Sequence, residues 1–117
     1  MAFKFESLVV WQKALDLSFV VSEITREFPK EEMYVLSSQI KRAADSVSLN
    51  IAEGSTGQTN LEYKRFLSKA LRSNIEVVGC IFIAQKRNII KQEKFDHVYK
   101  KCEEILSMII ALRNSLK

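Results

Sequence analysis

The stretch LSSQIKRAADSVSLNIAEG, Leu36 to Gly54, sets Leu36, Ile40, Ala43, Val47 and Ile51 at steps of four, three, four and four residues. Steps of this kind keep apolar side chains on one side of a 3.6-residue turn, so the stretch predicts an amphipathic α-helix. The same rhythm runs upstream through Val10, Ala14, Leu17, Val21, Ile24 and Phe28, predicting a first helix over 7–28. Downstream it returns in Tyr63, Leu67, Ala70, Asn74, Val77, Ile81 and Ala84, and again in Phe95, Val98, Cys102, Ile105, Ile109, Leu112 and Leu116. Four stripes in 117 residues, joined by short connections, predict an all-α, antiparallel up-down-up-down four-helix bundle, with residues 1–117 as a single domain.

The breaks between stripes have their own chemistry. Pro29 ends the first helix, because proline cannot donate a hydrogen bond inside one, and Glu31 and Glu32 behind it suit the positive start of a second. The first connection is therefore predicted to be very short. Helix two is expected to stop at Glu53-Gly54, since 54–59 (GSTGQT) gathers glycine and small hydroxyl residues with no apolar member. Thr59 and Glu62 then have the spacing of a capping box. Lys86 and Arg87 suit the negative C-terminal end of helix three.

Composition excludes several classes. Apolar residues make up 47% and charged ones 27%, an ordinary globular balance. No stretch approaches the roughly 20 apolar residues that cross a bilayer, and the N-terminus lacks a leader pattern, so a cytoplasmic protein without a membrane partner is expected. Cys80 and Cys102 lack CxxC spacing and read as small buried hydrophobes. The single histidine, His97, lies in a polar turn with no serine or cysteine spaced to use it as a base. Paired Glu-x-x-His motifs of a carboxylate-bridged bundle are missing as well, so neither catalysis, nor a metal, nor a cofactor is expected.

What the stripes leave over is mostly basic. The formal charge is +4 and the sequence pI about 9.1, which favours an acidic partner such as nucleic acid. At about 100° per residue, Arg65, Lys69 and Arg72 share the side of helix three away from its core line. Lys41 on helix two is expected at the height of Arg72 and Ser73, extending a phosphate-binding ridge; local pairing with Glu62 and Glu76 would instead make the stripe a solvated face. Arg42 is expected to reach Glu76 across the helix pair. Asn50 and Asn74 interrupt the apolar pattern and each needs its own hydrogen-bond partner. Finally, Leu8, Trp11, Leu15 and Phe19 on helix one, and Leu71, Ile75, Val78 and Phe82 on helix three, widen the apolar faces beyond a narrow seam, which favours burial against another subunit.

Several runs also resemble one family. These are FESLVVWQKA (5–14), Phe28-Pro29 with EMYVL (32–36), QIKRAADSV (39–47) and NIAEG (50–54), followed by FLSKA (66–70) with Ser73 and Glu76. Together they are similar to the bacterial four-helix-bundle family of S23, or 23S rRNA intervening-sequence, proteins, and Asn74 departs from its third-helix signature. That family is in turn similar to the accessory variability determinant of diversity-generating retroelements, a pentameric barrel that engages nucleic acid and a reverse transcriptase. The resemblance implies a homopentamer with a basic surface facing RNA or DNA, and no catalytic residues to transfer. The reading is a non-enzymatic, oligomeric nucleic-acid-binding bundle with Lys41, Arg42, Arg65, Lys69 and Arg72 as phosphate contacts. The alternative is a protein-interaction adaptor, for example an accessory subunit of a reverse transcriptase.

Overall fold

In the computed structural model of the chain, which describes residues 2–57 and 59–117, four helices follow one another without a strand: α1 (Val9–Thr25), α2 (Leu36–Ser55), α3 (Asn60–Lys86) and α4 (Gln92–Ser115). Gln58, in the expected loop, lies outside the described residues. Each helix packs on its sequence neighbours, and α1 also packs on α4, while among the described residues the backbones of the diagonal pairs, α1 with α3 and α2 with α4, stay farther apart. This is the closed square of an up-down-up-down bundle. At 1.5 Å per residue α3 is about 40 Å long, close to the longest extent of the molecule, 44 Å.

The four stripes meet inside. Leu17, Leu36, Ile40, Ile51, Leu67, Ile81, Ile105 and Ile109 are all fully buried, with Val21, Val47, Val77 and Val98 between them. Side chains of this size stabilise by about 1.5–3 kcal/mol each when removed from water, offsetting the entropy of ordering the chain. Cys80 and Cys102 are buried and unbridged, as their isolation in the sequence suggested.

Two connections differ from expectation. α1 begins at Val9, because residues Lys4–Ser7 form a separate 3-10 turn whose Phe3 N–H donates to the Glu6 carboxylate at 3.0 Å. After Thr25 the chain needs ten residues, 26–35, before α2 starts, so the first connection is not very short. Pro29 does open a helical turn, but it is a single 3-10 turn, Lys30–Glu32, with no buried residue to hold it against the bundle. Glu32 is drawn instead to Arg87 at the end of α3, whose Nη1 lies 3.0 Å from both carboxylate oxygens.

The α2–α3 turn keeps half of the expected capping box: Thr59 Oγ1 accepts from the Glu62 N–H at 3.1 Å. α2 ends at Ser55, one residue beyond the expected stop at Glu53-Gly54, and still includes Gly54. The role of that glycine is space, since a Cβ there would sit 2.6 Å from Phe66 Cβ of α3. α3 ends in a Schellman motif, with Asn88 at φ 59°, its N–H donating to Gln85 O and that of Ile89 to Ala84 O, both at 3.0 Å.

Candidate nucleic-acid interface

The threonine cap starts α3 in a fixed register, and the apolar line Leu67, Ala70, Val77 then turns inward. The residues between must turn outward. Arg65, Lys69 and Arg72 are all exposed and line one open depression of about 500 Å³ with Leu61, Glu62, Lys64, Phe66 and Ser68. The sequence places these three cations together, and so does the structure.

None of the three pairs with a carboxylate, although Glu62 and Glu76 are a turn away. Among the described residues the ion pairs lie elsewhere: Lys13 with Glu104, Lys94 with Glu27, Lys101 with Asp16, Arg26 with Glu23 and Arg87 with Glu32. Glu76 accepts from Gln39 Nε2 at 3.3 Å. Lys69 extends its ammonium over the Phe66 ring, 5.0 Å from the centroid. That contact is electrostatic and leaves the positive charge uncompensated.

The two basic residues of α2 stand apart from this depression. Lys41 lines another, between α1 and α2, with Ser22, Thr25, Arg26 and Ser37. The expected height is also wrong: Ser46 Oγ accepts from Ser73 Oγ at 2.9 Å and Gln39 meets Glu76, so Lys41 lies near the level of Glu76 and not of Arg72. Arg42 does not bridge to Glu76 but donates to Ser38 Oγ at 3.2 Å within its own helix. Gln39 holds the α3-facing margin of α2 that the bridge required.

Both asparagines find separate partners, as expected. Asn50 Nδ2 donates to Ser46 O and Ser46 Oγ, at 2.8 and 2.9 Å. Asn74, only 1% exposed, donates to the Cys102 carbonyl of α4 at 2.8 Å. That carbonyl fixes the amide's orientation and leaves Asn74 Oδ1 without a partner. Burial pushes the Cys102 thiol up to about 12, and burial with the nearby Glu76 carboxylate pushes Cys80 up to about 11, so both are held protonated at neutral pH. His97 is exposed on α4.

Sequence reasoning missed Phe66. It is half-buried at the edge of the core line, and an apolar residue there reads as packing. The available signal was its place between Arg65 and Lys69, three residues before the latter.

Fold and packing define an antiparallel four-helix bundle. The profile of the 23S rRNA-intervening sequence protein family matches residues 6–111, and the chain belongs to that family. Its fold is similar to the 1.70 Å crystal structure of a protein of unknown function from the S23 ribosomal protein family of Bacteroides thetaiotaomicron. The two share 21% identity with a TM-score of 0.81, over 90% of this chain and 98% of that one. Comparison with curated proteins gives no match. No helix among the described residues is long and apolar enough to cross a membrane.

Proposed function

We propose that this protein is a non-enzymatic, self-assembling bundle that binds RNA or DNA through phosphate contacts from Arg65, Lys69 and Arg72. The observation that carries the reading is the contrast in charge: these three cations share one open depression without a carboxylate partner, while Lys13, Lys94, Lys101 and Arg87 are paired. Lys41 and Arg42, exposed and likewise without a carboxylate partner, enter as separate contacts from α2. The family description makes ribosomal RNA the first ligand to assay.

Phosphate binding releases counterions, so affinity falls steeply with salt. Changing Arg65, Lys69 and Arg72 together to glutamine should leave folding nearly untouched and lower affinity across sequences. It should also reduce the salt slope by roughly one unit for each phosphate that is no longer neutralised. A folded variant with unchanged affinity and slope for both RNA and DNA removes this site.

Self-assembly is supported by apolar side chains that the bundle leaves exposed: Leu15 and Phe19 on α1, Ile75 and Phe82 on α3, and Tyr99 on α4. Sedimentation should show an oligomer near five subunits, the number the family resemblance implies. A monomer at micromolar concentration would leave those faces for a different protein and favour the adaptor reading. Another stoichiometry would remove only the number.

A further inference from the structure

We infer that the α3 depression is built for an unpaired nucleic-acid strand, with one base stacked on Phe66 while Arg65, Lys69 and Arg72 hold the flanking phosphates; this rests on the phosphate reading above. The apolar content of the depression points this way. Duplex binding through the backbone needs cations alone, but this depression also contains Phe66 and an exposed Leu61. Unpaired strands are held by such a combination, a cationic groove that follows the backbone and aromatic rings that receive bases of any identity.

The ring is positioned rather than loose. Its Cβ rests against Gly54, where any larger residue on α2 would collide with it, and so one side of Phe66 is anchored at the α2–α3 contact. The face toward the depression is marked by Lys69, whose ammonium lies 5.0 Å from the centroid. A π-face that receives a cation is available to a base as well. Binding then becomes an exchange: the base replaces the ammonium over the ring, and the released ammonium moves to a phosphate. From Arg65 to Arg72 the helix rises roughly 10 Å, so the cations follow a short run of backbone rather than a single phosphate. Glu62, the one acid lining the depression, lies N-terminal to all three cations and bounds the run at that end.

The test uses the wild-type protein and three probes of equal length and charge per strand: a twelve-nucleotide oligothymidylate, the same strand with abasic sites in place of its bases, and a duplex. Stacking predicts that the abasic strand binds about fivefold to a hundredfold more weakly than the intact one with an unchanged salt slope, and that the duplex is also weaker. Phe66→Leu, which keeps an apolar side chain against Gly54, should reproduce the loss, and Phe66→Tyr should restore affinity. If intact, abasic and duplex probes bind equally, the stacking proposal is overturned, and a salt slope that still shrinks in the triple glutamine variant leaves the phosphate reading standing. Loss of all binding, or binding without salt dependence, overturns both.

Discussion

The seam between α2 and α3 and the seam between α1 and α4 close the same bundle by opposite means. α2 meets α3 without an ion pair among the described residues, with Gly54 against Phe66, Ser46 against Ser73 and Gln39 beside Glu76. α1 and the residues just beyond it meet α4 through charge, as Lys13 and Asp16 of the helix and Glu27 of the connection face Glu104, Lys101 and Lys94. A seam of small residues brings two backbones close, and its outer margin then has no opposing row of carboxylates. Arg65, Lys69 and Arg72 stand on that margin with their charge uncompensated. The cations of the other seam are partly engaged in holding helices together, which makes Lys13, Lys94 and Lys101 poorer candidates for phosphate.

The largest effect should come from closing the space in the tight seam. Gly54→Ala removes a poor helix former and on propensity alone would gain about 1 kcal/mol. The added Cβ, however, falls 2.6 Å from Phe66 Cβ, an atom that cannot move without its backbone. We expect the clash to win, with a net loss of roughly 1–3 kcal/mol. Thermal and urea unfolding measure it, and a variant as stable as the parent would show that the seam is not tight.

Gly79 supplies the control. It lies exposed within α3, and a Cβ built there meets nothing within 4 Å. Gly79→Ala should therefore stabilise by about 0.5–1 kcal/mol. Opposite signs for two glycine-to-alanine changes in adjacent helices would isolate the seam from the helix. Destabilisation at both would indicate that Gly79 itself is covered by a partner subunit.

The contrast between these glycines was not legible in the sequence, where Gly54 reads as a helix stop because it precedes a loop. What was legible is the core, since a 3.6-residue period is a property of the chain alone: Val10, Ile40, Val77 and Ile105 lie inside where their stripes place them. The first connection was hidden because Pro29 permits a helix start without saying whether anything packs on it. Lys41 was misplaced because the height of one helix against another depends on which side chains meet, here Ser46 with Ser73. The cation stripe was readable from angular spacing. Phe66 was not, because a place between two cations does not by itself separate a ring that faces the core from one that also faces a groove.

A smaller effect tests the charged seam. Lys101 and Asp16 pair across α1 and α4 with side chains 25% and 54% exposed. Solvent screens a pair of that exposure, so a double-mutant cycle with Lys101→Gln and Asp16→Asn should give a coupling of about 0.2–1 kcal/mol. Raising salt should shrink it. Nucleic-acid affinity should stay within about twofold, since a paired lysine contributes little to the counterion count. A steep loss of binding in Lys101→Gln would break the division between structural and binding cations.

The smallest expected coupling is between Arg42 and Glu76, where sequence spacing suggests a bridge across the tight seam. The structure gives Arg42 to Ser38 and Glu76 to Gln39, so their double-mutant cycle should be additive within about 0.3–0.5 kcal/mol. The Gln39–Glu76 cycle should instead show a coupling of roughly 0.5–1.5 kcal/mol at most, as expected for one partly exposed hydrogen bond. Strong coupling in the first cycle would mean that the seam carries an ion pair after all. Arg42 would then belong with Lys101 and Arg87 as a cation engaged in structure, leaving α3 alone to supply the phosphate contacts on this side of the bundle.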